Sequence, residues 1–76
     1  MFVKADVFWD KKRSEATMYL DKENGEQTKY VIGHVYSWKD TVELLTGYIA
    51  PYGIKIKSQE NLSEDNFYKE QTFFLG

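Results

Sequence analysis

Apolar and polar residues alternate from Phe2 to Trp9, with Val3, Ala5, Val7 and Trp9 on one side and Phe2, Lys4, Asp6 and Phe8 on the other, which is the period of a β-strand. The charged run Asp10-Lys11-Lys12-Arg13, with Ser14, breaks the pattern and predicts a hairpin loop. Alternation resumes over Glu15 to Asp21, with Ala16, Met18 and Leu20 on one face, and a third strand runs from Thr28 to Tyr36. Asn24-Gly25 between them is a strong hairpin signal. A two-residue turn there pairs Leu20 with Lys29 and Met18 with Val31. A three-residue loop, Glu23-Asn24-Gly25, pairs Met18 with Tyr30 and Ala16 with Ile32. The second register is expected, because it keeps the larger apolar groups together and puts Gly25 where a left-handed residue is needed. It sets Tyr30, Ile32 and His34 on the Met18 face and Tyr19, Val31 and Val35 opposite, so His34 reads as a partly buried strand residue.

At Ser37 the period changes. Ser37 and Asp40 have the spacing of a capping box, and Trp38, Val42, Leu45 and Ile49 then share one face of a helix of about three turns. Gly47 is either the residue just past a helix ending at Thr46 or an interior residue of one running to Ala50, and Pro51 stops both versions. Gly53 suits the turn into a fourth strand, in which Ile54 and Ile56 face inward and Lys55 and Lys57 outward. Ser58-Gln59-Glu60-Asn61 reads as a polar connection, and Leu62 to Phe67 as a short second helix capped by Ser63, with Leu62 stapled onto Phe67. Gln71-Thr72-Phe73-Phe74-Leu75 is expected as a short strand or a docked tail. The fold class is therefore α+β: one small domain over residues 1–76, an antiparallel sheet of three to four strands with one main helix (β-β-β-α-β), and a C-terminal helical turn or strand. Residues 1–57 form the sheet-plus-helix body and 58–76 an acidic, aromatic extension.

Composition narrows the function. Seventy-six residues bury only about 60 to 65% of their surface, and without cysteine there is neither a disulfide nor a thiolate metal site. The single His34 makes no metal centre by itself, so neither metal nor cofactor is expected. No apolar run reaches the roughly 20 residues of a membrane span and no secretory leader is evident at Met1, so the expected location is the cytoplasm, with no membrane partner. Net charge is −2; residues 58 to 76 carry Glu60, Glu64, Asp65 and Glu70 against Lys69, a net −3 that leaves +1 for the rest. That balance argues against a strongly basic nucleic-acid footprint. No nucleophile elbow, phosphate loop or HExxH pattern occurs, so the chain is not expected to be an enzyme. Thirteen aromatic side chains, six of them tyrosines, exceed what so small a core absorbs, and surplus surface tyrosine is a mark of recognition surfaces.

Two stretches resemble known families. Ser37-x-x-Asp40-Thr41-Val42-Glu43-Leu44 followed by Pro51-x-Gly53-Ile54-x-Ile56 is similar to the helix-to-strand segment of the small RNA-polymerase inhibitors of lytic coliphages. Thr17-Met18, Leu20, Gly25, Gln27, Ser37-x-x-Asp40 and Gly47 resemble, in the same order, the uracil-DNA glycosylase inhibitors of Bacillus phages. In size the chain also resembles anti-CRISPR proteins. The shared implication is a non-enzymatic, phage- or mobile-element-encoded inhibitor that binds a host nucleic-acid enzyme, working in the host cytoplasm. Its candidate contacts are Tyr19, Tyr36, Tyr48, Tyr52 and Tyr68, with Asp21, Glu23 and Glu26 on the hairpin and Glu60, Glu64 and Asp65 near the C-terminus as phosphate-like acids. The alternatives are a nucleic-acid-binding domain using Lys4, Lys11, Lys12, Arg13, Lys29, Lys55 and Lys57 around strand aromatics, and an accessory subunit whose Phe73-Phe74-Leu75 tail docks into a larger assembly or a second copy of the chain.

Overall fold

The computed structural model describes residues 1–76. Five antiparallel strands, β1 (Phe2–Asp10), β2 (Glu15–Lys22), β3 (Gln27–Gly33), β4 (Ile56–Glu64) and β5 (Tyr68–Leu75), form one sheet in the order β3-β2-β1-β5-β4. One helix, α1 (Trp38–Ile49), followed by a 3-10 turn (Ala50–Tyr52), lies in the connection that leads from the β3 edge to the β4 edge. The sheet thus has five strands rather than three to four. No helix is long and apolar enough to cross a membrane.

The β2–β3 hairpin takes the expected register, Met18 opposite Tyr30 and Ala16 opposite Ile32, with Gly25 left-handed at φ 89°. Ala5, Val7, Met18, Leu20, Leu45, Ile49, Ile54, Phe73 and Leu75 make the core, so the helix covers the Met18 face of the sheet. Ser37 caps α1 by accepting the Asp40 N–H at 3.0 Å. The helix runs through Gly47 to Ile49. Its buried stripe contains Thr41 as well as Leu45 and Ile49; Thr41 is tolerated because its Oγ1 donates to the Ser37 carbonyl at 2.9 Å. Gly53, at φ 72°, closes the 3-10 turn.

Four expectations are corrected. Phe2 joins the core and Val3 is exposed, because a register shift between Phe2 and Lys4 resets the alternation at the strand's start. The third strand stops at Gly33, not Tyr36. His34 takes a left-handed φ of 61° and stands exposed, and Val35 is turned inward, held by its N–H to the Ser14 carbonyl and by its carbonyl to the Trp9 indole. Ser58 to Asn61 is strand, not connection: β4 is a sheet edge whose polar residues need no core, the β5 ladder pairs Ser58, Gln59 and Glu60, and Asn61, at a left-handed φ of 55°, lies in the irregularity that follows. No second helix forms at Ser63. Asp65 Oδ1 instead accepts the N–H groups of Phe67 (2.7 Å) and Tyr68 (2.8 Å), closing the β4–β5 turn with the same bonds an N-cap makes.

The C-terminal strand is interior to the sheet, between β1 and β4. Phe73 is opposite Ala5 and 1% exposed, and Thr72 Oγ1 donates to Asp6 Oδ1 at 2.7 Å across a sequence separation of 66.

Candidate protein-binding surface

One side of the sheet has no covering layer, and the strand registers fix which side chains stand on it. From β4 across β5, β1 and β2 to β3, one row reads Ser63, Glu70, Phe8, Thr17, Val31, and the next Glu60, Thr72, Asp6, Tyr19, Lys29. Towards the turns a row runs Tyr68, Asp10, Glu15, Gly33, and towards the chain's start another runs Ser58, Phe74, Lys4, Asp21, Gln27. In these rows aromatic rings sit among carboxylates. Phe8 and Tyr19 meet edge-to-face with centroids 5.8 Å apart, and Tyr68 is half exposed. Within the rows, Asp6, Asp10, Glu15, Asp21, Glu60 and Glu70 are accompanied by the cations Lys4 and Lys29, and Lys12 and Arg13 adjoin Asp10 from the β1–β2 loop. Lys4 is shared between Asp6 (3.6 Å) and Asp21 (3.4 Å), and Lys29 Nζ lies 5.7 Å from the Tyr19 ring centroid. Glu15 and Glu70 enter no ion pair.

The rim is tied down. Lys11 Nζ reaches across to Glu64 Oε2 (2.8 Å) and to the Asp65 carbonyl (2.7 Å), and its backbone N–H donates to the Phe67 carbonyl (2.9 Å), which ties the β1–β2 loop to the β4–β5 turn. The Lys11 hydrogen bond holds the Glu64 carboxyl below the ordinary carboxylate range, with further help from Lys69. The Tyr68 and Phe67 N–H groups do the same for Asp65.

Of the residues predicted from sequence, Tyr19, Tyr68, Asp21 and Glu60 stand on this open face and Asp65 at its rim. Glu64 lies opposite Lys69, bound to Lys11 and Lys69. Glu23 and Glu26 are at the β2–β3 hairpin tip, Glu26 paired with Lys22. Tyr48 and Tyr52 belong to the covered side: Tyr48 is half-buried with its hydroxyl against that of Tyr30, and Tyr52 packs edge-on against Phe2. Tyr36 is exposed beside His34 in the link to α1. Sequence reasoning missed Phe8, Asp6, Asp10, Glu15 and Glu70 as site residues, although the alternation Asp6-Phe8-Asp10 carried the signal.

The basic set does not form one track. Lys11 is committed to Glu64, Lys12 and Arg13 stand at the β1–β2 loop beside Phe67, and Lys55 and Lys57 lie the length of β5 away, by Gly76. His34 lies in a separate cleft with Asp40 and Glu43, and no three His, Asp or Glu side chains converge as a metal site. No protein-family model, curated protein or solved structure matches the chain.

Proposed function

We propose that this chain is a non-enzymatic, protein-binding inhibitor, phage- or mobile-element-encoded, whose open sheet face docks on the basic nucleic-acid-binding surface of a host enzyme such as an RNA polymerase, a repair glycosylase or a CRISPR effector. The observation that carries this reading is the composition of one uncovered face: flat rings of Phe8, Tyr19 and Tyr68 interleaved with the carboxylates of Asp6, Asp10, Glu15 and Glu70. That is a partial chemical likeness of bases flanked by phosphates, and it complements a cationic groove. Fixed strands present it, so little entropy is lost on docking. Capture from bacterial lysate with tagged protein, eluted across a salt gradient, tests it. Stoichiometric recovery of one nucleic-acid enzyme supports the reading, and recovery of no protein partner removes it.

One observation favours a second reading. Aromatics on an open sheet are also a platform on which single-stranded bases stack. The carboxylates in every adjoining row oppose phosphates, which places this second. It predicts single-strand affinity that falls steeply with salt.

A further inference from the structure

We propose that the end of the open face between Tyr68, Phe8 and Glu15 is the seat for one cationic side chain, an arginine or lysine, projected by the protein partner. The inference rests on the inhibitor reading and adds the chemistry of its anchor. Asp10 and Glu15 are directly opposite each other on β1 and β2, a like-charge cross-strand pair that costs stability unless something answers it. No cation of the chain forms an ion pair with either carboxylate. Lys11 is turned to Glu64, Lys29 lines the same groove with its Nζ 5.7 Å from the Tyr19 ring centroid, and Lys12 and Arg13 donate backbone N–H groups to Asp10 Oδ1, at 3.0 and 2.9 Å. Those two bonds fix the Asp10 carboxylate in place and leave its second oxygen free.

Around the pair the walls suit a cation. Tyr68 is opposite Asp10 on the β5 side and Phe8 is one row further in, so a guanidinium or ammonium entering here meets aromatic faces and two carboxylates together. On the β3 side Glu15 is opposite Gly33, whose missing side chain leaves that approach open, with nothing within 4 Å of where a Cβ would stand. The groove measures about 220 Å³, below the roughly 300–1,000 Å³ of small-molecule sites and suited to a single side chain. A planar guanidinium uses such a site more fully than an ammonium, stacking on a ring while pairing with a carboxylate.

The test is a titration of the isotope-labelled full chain with N-acetyl-arginine amide and, in parallel, with its uncharged isostere N-acetyl-citrulline amide, read by NMR. Arginine is expected to shift Phe8, Asp10, Glu15 and Tyr68 saturably and citrulline to leave them still. Glu15→Gln should weaken the arginine response several-fold while raising the thermal midpoint slightly, because it relieves the like-charge pair with Asp10. Equal responses to the two probes, no response, or shifts centred elsewhere would each overturn the anchor. If partner capture still depends on Glu70 while arginine leaves the groove unperturbed, the anchor falls and the inhibitor reading stands.

Discussion

Phe8 and Tyr19 meet edge-to-face on the uncovered side of the sheet, their centroids 5.8 Å apart and their planes at 87°. The pair is diagonal across β1 and β2, and it puts a rigid aromatic surface where a soluble sheet ordinarily carries polar side chains. Aromatic anchors of this kind dominate interface energies. Tyr68→Ala is therefore expected to weaken partner binding by about 2 kcal/mol or more. Because Tyr68 is half exposed, the same change should move folding stability by no more than about 0.5 kcal/mol. Calorimetric binding and thermal melts on the same variant separate the two effects.

Charge on that face acts on encounter more than on the final contact. Glu70 is unpaired and adjoins Phe8, so Glu70→Lys should slow association with a basic partner about tenfold at low salt and change it little at high salt. Stopped-flow association rates across a salt series measure this. A rate loss independent of salt would assign Glu70 a packing role instead.

Phe73 is 1% exposed in the middle of the core and is supplied by the last strand. Phe73→Ala is expected to cost about 3–5 kcal/mol, and deleting residues 71–76 to unfold the chain outright, given a total stability of order 5–15 kcal/mol. Denaturant melts and circular dichroism of the truncated chain check this. A folded truncation that had lost only self-association would restore the accessory-tail alternative.

The rim should loosen in acid. Glu64 and Asp65 have carboxyls held below the ordinary range by Lys11 and by the Tyr68 and Phe67 N–H groups respectively. A folded pKa below the unfolded one means that the contribution is fully present above about pH 4–4.5 and is lost as the pH falls through the folded value. Side-chain carbon titration by NMR should show both groups ionising below free carboxylates. The stability gap between wild type and Asp65→Asn should shrink in the same window. Titration of either group at its ordinary position would contradict this.

Where burial follows a regular period, the sequence reveals its structure: the β2–β3 register, the Ser37 cap and the left-handed glycines 25 and 53 all follow from local chemistry. What local pattern does not carry is neighbourhood. Ser58 to Asn61 is strand only because β5 lies beside it, and β5 is central only because β1 is its other neighbour. The Ser63 helix signal failed because an Asx-type turn at Asp65 uses the same side-chain-to-backbone bonds as a cap. His34 left the strand through a left-handed φ that no periodicity announces. For the site, attention to tyrosine alone scattered the candidates over both sides of the sheet. The clustering of Phe8 with Tyr19 and Tyr68 needs the pairings of three strands.

If the open face, and not the helical side, holds a protein partner, capture from bacterial lysate in parallel with three baits distinguishes them: wild type, Tyr68→Ala/Glu70→Lys on the open face, and Tyr36→Ala in the link to α1. One stoichiometric nucleic-acid enzyme is expected on the wild-type and Tyr36→Ala baits and its loss from the open-face variant, with all three equally folded. The same protein held equally by all three baits, or only nuclease-sensitive nucleic acid on the wild type, would contradict it.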